Sequence, residues 1–214
     1  MIIDDSRPVV LALGGNAISR EGEEGTIDQQ FQHTRATAKH VVNLLQAGCR
    51  LVVTHGNGPQ VGNVIRRVEL ARPHIYPLPV DVCVADTQGG MGYMIAQCLN
   101  NELRRRGINR TVCTLVTTVQ VDEDDPAFDN PTKPIGSFYA EAEARTLMHR
   151  DGWAMARIGN KGWRRVVPSP APQAIVEIDL LKALVDAGQT VIAGGGGGIP
   201  VIRDVAGDLQ GVEG

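Results

Sequence analysis

The sequence is short of aromatic residues and of lysine, and it has no long apolar run. Aromatic side chains make up only 4% of the 214 residues, so a hydrophobic core must be built mainly from Val, Ile, Leu and Ala. The sequence has no run of 18 or more apolar residues, so it predicts no membrane-spanning helix. The N-terminal segment carries two early acidic residues and no apolar stretch of signal-peptide length. We therefore expect a cytoplasmic protein without a membrane partner.

The sequence has no excess of basic residues and no closely spaced pair of cysteines. The formal net charge is −3, whereas nonspecific binding to nucleic acid requires a basic excess. The sequence therefore predicts no nucleic-acid partner. The four cysteines form no C-x-x-C pair, and we predict reduced structural thiols and no metal site at Cys49, Cys83, Cys98 and Cys113.

Several signatures of nucleotide-binding and hydrolytic enzymes are also missing. The P-loop pattern G-x-x-x-x-G-K-[ST] is absent, and no G-x-G-x-x-G follows the first predicted strand. Neither a Ser/His/Asp constellation nor an H-E-x-x-H motif is visible. His55 has two interpretations, as a general base or as a strand-end residue whose ring is hydrogen-bonded locally.

Glycine, in contrast, is abundant, with 25 residues that cluster after predicted strands. A unit of helix, glycine stop, β-branched strand and glycine-rich loop recurs. This order predicts an α/β fold with a mostly parallel central sheet and helices on both faces. The predicted strands are 9–13, 51–53, 112–121 and 190–193, and the predicted helices are 27–47, 87–106 and 178–187.

Three glycine loops, 14–16, 56–60 and 194–198, follow predicted strands of this sheet. Ligands of open α/β sheets bind beyond the carboxyl ends of the strands. Glycine lets the backbone approach a ligand, and successive N–H groups at a helix start can bind an anion. The three loops together therefore indicate an anion site more strongly than any one of them.

Residues 122–170 interrupt the recurring unit with an acidic cluster and five prolines. We predict a small protruding, lid-like subdomain here, on a core formed by 1–121 and 171–214; a solvated insertion is the alternative. Lys133, one of four lysines, lies between Pro131 and Pro134, which restrict the backbone. A stiffened loop suits a lysine that meets a phosphate at a fixed place, and an ordinary surface lysine is the alternative.

Several blocks of the sequence resemble the signatures of carbamate kinase, a member of the amino-acid kinase superfamily. The blocks are Val-Leu-Ala-Leu-Gly-Gly-Asn-Ala at 10–17, Thr-His-Gly-Asn-Gly-Pro-Gln-Val-Gly at 54–62, Asn-Pro-Thr-Lys-Pro-Ile-Gly at 130–136, Arg-Arg-Val-Val-Pro-Ser-Pro at 164–170 and Ala-Gly-Gly-Gly-Gly at 193–197. Asp86-Thr87-Gln88-Gly89 is similar to the start of a helix in that family. A sibling kinase for acetylglutamate or uridylate is a weaker alternative, because the block containing Lys133 argues against it.

The resemblance implies reversible phosphoryl transfer between Mg-ATP and carbamate, giving carbamoyl phosphate and ADP, with the Mg²⁺ held mainly by the nucleotide. It also implies a homodimer and a place in arginine metabolism. The implied roles are catalysis for Lys133, carbamate and phosphoryl binding for Gly14, Gly15, Asn16, Gly56, Asn57 and Gly58, and contact with nucleotide phosphates for Gly194, Gly195 and Gly196.

The same resemblance implies a nucleotide-binding region, with two further lysines and an aspartate, beyond Gly214. We therefore expect a C-terminally truncated carbamate kinase chain that lacks most of the ATP-binding half. The alternatives are a non-catalytic module that binds carbamoyl phosphate or a partner protein, and one half of a split kinase.

Overall fold

The computed structural model describes residues 7–20 and 22–214, with position 16 described by its backbone alone. The helices are α1 (Ile27–Gln46), α2 (Gly58–Ala71), α3 (Val80–Arg105), α4 (Glu141–Asp151) and α5 (Ile178–Asp186), with a short 3₁₀ helix at Gly15–Ala17. The strands are β1 (Val9–Leu13), β2 (Leu51–His55), β3 (Val112–Leu115), β4 (Thr118–Val121), β5 (Lys133–Tyr139), β6 (Met155–Arg157), β7 (Trp163–Val167), β8 (Pro172–Ile175), β9 (Thr190–Gly195), β10 (Ile199–Arg203) and β11 (Leu209–Gly211). No described helix is long and apolar enough to cross a membrane.

The chain divides into two compact units, each built from three segments. The first unit comprises the described part of Met1–Asn57, together with Asp86–Thr117 and Val176–Gly198. The second comprises Gly58–Ala85, Thr118–Ile175 and Ile199–Gly214. The predicted division into a core of 1–121 and 171–214 and a subdomain of 122–170 stays a prediction.

A four-stranded parallel sheet in the order β1-β2-β9-β3 forms the centre of the first unit. Successive strand residues point to opposite faces. Leu51 and Val53 pack with residues of α1 and α3, whereas Val52 packs with residues of α5. The sheet is thus covered on both faces, which confirms the predicted architecture and explains why β2 is apolar at consecutive positions.

The ends of α1 follow from the local sequence. The Thr26 hydroxyl accepts a hydrogen bond from the Gln29 backbone N–H, and the Gln29 side chain accepts one from the Thr26 N–H. This capping box satisfies two of the free donors at the first turn. The helix ends just before Gly48, as predicted, and the chain then enters β2.

The second unit contains two further sheets and a separate apolar cluster. One sheet has the order β11-β10-β4-β8, with β10 and β4 parallel, and the other is the antiparallel sheet β5-β7-β6. The strands of that antiparallel sheet and α4 all lie within the predicted excursion 122–170. Helix α2 packs on β5 so closely that a Cβ at Gly136 would lie 2.6 Å from a Glu69 oxygen.

Two sequence predictions about these elements were wrong. The predicted strand 112–121 is two strands, β3 and β4, which are interrupted at Val116 and Thr117. The backbone N–H and C=O of Thr117 both bond to the Gln88 side chain and not to a neighbouring strand. The helix predicted from 87 begins at Val80, directly after Pro79, and includes Gly89, Gly90 and Gly92 despite their low helix propensity.

Candidate active site

The loop after β1 turns at once into a short helix. Gly14 and Gly15 accept the first hydrogen bonds of that turn, from Ala17 N–H at 3.0 Å and Ile18 N–H at 3.0 Å. The side chain of Asn16, a predicted site residue, lies outside the described residues. The loop therefore presents backbone groups at the carboxyl end of β1, where a ligand of a parallel sheet is expected.

The loop after β2 lies beside the first one and leads into α2. The Gly56 N–H donates to the Leu13 carbonyl oxygen at 3.2 Å, which joins the ends of β1 and β2. Helix α2 begins at Gly58, so the first turn of this helix follows the loop directly. The positive end of a helix dipole at such a place favours an anion.

Four glycines of these two loops have no reason inside the protein to be glycine. None has a positive φ, and a Cβ placed on any of them would meet no non-neighbouring atom within 4 Å. All four are exposed to solvent. They are Gly14, Gly15, Gly56 and Gly58.

Four of the five glycines of the third loop are, in contrast, explained by the fold, and Gly197 is the exception. Gly194 has φ +81° within a bulge of β9 and Gly196 has φ +61°, and side chains rarely adopt such values. A Cβ on Gly195 would lie 2.9 Å from His55 Cε1, and one on Gly196 would lie 2.2 Å from Asn57 Oδ1. The high glycine content of this loop is therefore not, by itself, a sign of a ligand.

The second and third loops are joined to each other by backbone and side-chain contacts. The Gly196 N–H donates to the His55 carbonyl oxygen at 2.9 Å. The Asn57 side chain is buried, lies against Gly196 and donates from Nδ2 to Thr87 Oγ1 at 3.1 Å. Within the first unit, the structure therefore brings together the loops at 14–16, 56–57 and 194–198, whereas Gly58 belongs to the second unit.

Two residues of this network, Thr87 and Gln88, were not assigned a role from the sequence. Both are buried on α3, with Gln88 only 1% exposed. The signal that could have identified them is the presence of two consecutive polar residues on a helix whose buried side chains are mostly apolar. A buried polar group is unfavourable unless it is hydrogen-bonded.

The imidazole of His55 is buried at the end of β2. Its Nδ1 lies 3.3 Å from the Gly56 carbonyl oxygen, and its Nε2 has no hydrogen-bond partner among the described residues. Burial lowers the pKa of His55 below its ordinary value of 6.5, and the contact with Gly56 offsets this in part. The ring therefore resists protonation in the folded protein, and stability present above pH 6.5 is lost as the pH falls. The local contact favours the strand-end interpretation.

Lys133 opens strand β5 in the second unit and is exposed. No carboxylate of the described residues lies within ion-pair distance of its ammonium group. Partial loss of solvation lowers the pKa of this lysine from 10.5. The charge is thus available to an outside anion, and its predicted catalytic role stays a prediction.

A cavity of about 720 Å³ lies in the second unit, and none of the predicted site residues lines it. The Trp153 ring is flanked by the guanidinium groups of Arg72 and Arg165, at 5.6 and 4.5 Å from the ring centroid. Arg72 pairs with Asp151, and Arg165 pairs with Glu213. Because these charges neutralise one another, we assign a structural role to this cluster.

Among the described residues, no group of three or more His, Cys, Asp or Glu side chains is arranged to hold a metal ion. None of the described cysteines forms a disulfide bond: Cys49, Cys83 and Cys98 are buried, and Cys113 is exposed.

Comparison with known proteins gives consistent matches over nearly the whole chain. A profile described as "Amino acid kinase family" matches residues 7–209. The carbamate kinase of Pyrococcus horikoshii is 48% identical over 207 residues, covering 96% of this chain and 66% of that protein. The carbamate kinase-like protein YqeA of Escherichia coli K12 is 49% identical over 202 residues, covering 93% of this chain and 63% of that protein.

The solved structures agree with the sequence relatives. The carbamate kinase of Giardia lamblia bound to AMP-PNP superposes with a TM-score of 0.92 at 39% identity, covering 98% of this chain and 67% of that one. The chain thus spans 66% of the length of the Pyrococcus relative.

Proposed function

Since this chain belongs to the amino acid kinase family, we propose that it is a carbamate kinase chain whose glycine loops hold carbamate and the transferring phosphoryl group. The reaction joins a carbamate oxygen to the γ-phosphorus of ATP and breaks the bond to ADP, and it runs in either direction. The relatives that carry the name carbamate kinase support this choice of substrate.

The observation that carries the proposal is the open space in front of Gly14, Gly15, Gly56 and Gly58. Neither backbone conformation nor internal packing requires glycine there, although glycine carries an entropic cost on folding. A ligand that approaches the backbone closely supplies the missing reason. Backbone N–H groups and the start of α2 then provide donors and a positive dipole for a phosphoryl group.

Phosphoryl transfer depends on positioning and on neutralising charge more than on covalent chemistry by the protein. We propose that the two loops orient carbamate and the phosphoryl group, and that the unpaired ammonium of Lys133 neutralises the developing charge. Mg²⁺, held mainly by the nucleotide, would supply positive charge that offsets the charge of the phosphates. The proposed role of Gly194, Gly195 and Gly196 is contact with the nucleotide phosphates through their backbone.

The relatives extend over a further third of their length that this chain does not match. We propose that residues equivalent to those of the unmatched third of the relatives complete the nucleotide site. We also propose that the protein acts as a cytoplasmic homodimer in arginine metabolism, with carbamate or carbamoyl phosphate as its small-molecule partner.

Calorimetric titration with carbamoyl phosphate tests the proposal, with inorganic phosphate and acetyl phosphate as comparison ligands. We expect saturable binding of carbamoyl phosphate, and its absence would contradict the proposed function. A coupled assay of ATP formation from carbamoyl phosphate and ADP is run on the same sample. Turnover would rule out a non-catalytic module, and binding without turnover is the result that we expect for this chain by itself.

A further inference from the structure

We propose that Thr87 and Gln88 are positioning residues, which hold the loops at the ends of β2, β3 and β9 in the arrangement that binds the phosphoryl group. The inference rests on the proposed function for its ligand, but the positioning itself can be measured without one. Neither residue need touch a substrate, because each acts through a residue of a loop.

Thr87 acts through Asn57. Its hydroxyl accepts the hydrogen bond from Asn57 Nδ2 at 3.1 Å, and both side chains are buried. Asn57 Oδ1 is then directed at the Cα of Gly196, where a Cβ would come within 2.2 Å. A single side chain, fixed at one end by α3, thus sets the separation of the loops that follow β2 and β9.

Gln88 acts on the two other strand ends. Its Oε1 accepts from the Thr117 N–H at 2.6 Å, and its Nε2 donates to the Thr117 carbonyl oxygen at 3.3 Å. These bonds fix the backbone of the chain two residues after the end of β3. The Cγ atom of the same side chain packs on Gly195, where a Cβ would lie at 2.8 Å.

The adjacent strands β2, β9 and β3 are therefore tied at their carboxyl ends by two consecutive residues of one helix. An apolar pair could fill the same space, but it would not specify which backbone group lies where. Buried, fully bonded polar side chains select one arrangement of their surroundings. The ends of these strands are also where a ligand of a parallel sheet binds, so a fixed loop arrangement there has a use in binding.

The test compares Thr87→Val, which removes the hydroxyl at nearly constant volume, with Thr87→Ser, which keeps it. We expect Thr87→Val to weaken carbamoyl phosphate binding about twofold to tenfold, the range for one lost neutral hydrogen bond. The Gly196 amide, which donates to His55, should exchange its hydrogen about tenfold faster as the loop opens more often. Thr87→Ser should keep the affinity and the exchange rate at Gly196 close to those of the unmodified chain.

Thr34→Val provides a matched control. The Thr34 hydroxyl is also buried in the first unit, and it donates to the Gln30 carbonyl oxygen within α1 at 2.7 Å. This variant should lose a comparable amount of stability while it leaves both the dissociation constant and the exchange at Gly196 unchanged. A general loss of stability would instead change Thr34→Val and Thr87→Val alike.

Unchanged exchange at Gly196 in Thr87→Val would overturn the inference, and so would a failure of Thr87→Ser to restore it. If the unmodified chain does not bind carbamoyl phosphate, the proposed function fails. The exchange data would still decide whether Thr87 positions the loop.

Discussion

Two glycine-to-alanine substitutions separate glycine required by the fold from glycine required by a ligand. At Gly56 the φ angle is not positive and a Cβ would meet no neighbouring atom within 4 Å. Alanine there reduces the entropy of the unfolded chain, which adds up to about 1 kcal/mol of stability. If the space belongs to the ligand, the added methyl group costs about 1–3 kcal/mol of binding, as overpacking does in a core. We expect Gly56→Ala to weaken carbamoyl phosphate binding about tenfold or more.

Gly196 provides the opposite case. Its φ of +61° costs about 1–2 kcal/mol for a residue with a Cβ, and displacing Asn57 Oδ1, 2.2 Å from the Cβ position, adds about 1–3 kcal/mol. We expect Gly196→Ala to lower the melting temperature by about 5–15 °C. Scanning calorimetry and circular dichroism suit this measurement, because both tryptophans of the chain, Trp153 and Trp163, lie in the second unit.

The two variants should therefore differ in opposite ways. Gly56→Ala should keep or slightly raise the melting temperature and lose affinity, whereas Gly196→Ala should lose stability first. Wild-type affinity in Gly56→Ala would refute the assignment of the open space to a ligand. Wild-type stability in Gly196→Ala would refute the explanation of the third loop by backbone conformation and packing.

Three further predictions concern charged and titratable groups. Lys133→Ala should weaken carbamoyl phosphate binding about tenfold, measured by calorimetry, with an unchanged melting temperature. The control Lys161→Ala should show no such loss. Equal affinities of Lys133→Ala and the unmodified chain would mean that Lys133 is an ordinary surface lysine without a role in binding. Because burial lowers the pKa of His55 from 6.5, urea unfolding should show stability falling below pH 6.5 by at most about 1.4 kcal/mol per pH unit for this group; the slope should be smaller in His55→Gln, and an identical slope would count against the argument. The Asp151 side chain is buried and paired with Arg72 and Arg150. Replacing Asp151 by Asn should lower the free energy of unfolding by about 1–3 kcal/mol, measured by tryptophan fluorescence. A change within error would contradict the structural role of this residue.

The central sheet could be predicted because the apolar character of its strands reflects their burial directly. Strands apolar at consecutive positions, as at Leu51, Val52 and Val53, occur where both faces are covered. The glycine stops after α1, α3 and α5 were likewise local signals. The parallel order β1-β2-β9-β3 itself could not be derived, since it depends on contacts between distant segments.

The errors arose where a distant side chain determines local structure. Nothing in residues 112–121 predicts a break, because the partner that takes the Thr117 backbone groups is Gln88, from another helix. Gly92 in α3 has a similar cause, since a Cβ there would lie 2.2 Å from Thr114 Cγ2. Helix α2 was missed because the Gly58-Pro59 sequence at its start is also typical of a turn.

The candidate site was predictable in its loops but not in its supports. The three glycine loops were predicted to follow strands of one sheet, and the contacts of Gly56 with Leu13 and of Gly196 with His55 show that these loops lie at neighbouring strand ends. The different reasons for glycine in each loop required coordinates, because φ angles and neighbouring atoms are not written in the sequence. The roles of Thr87 and Gln88 required them for the same reason.

The most direct test of the central claim is a titration of the ¹⁵N-labelled chain with carbamoyl phosphate, followed by amide chemical shifts. We predict saturable shifts at Gly14, Gly15, Gly56 and Gly58, and none at Gly152, which lines the cavity of the second unit. Saturable shifts confined to that cavity, or no shifts at all, would contradict the claim that these two loops bind the phosphoryl group.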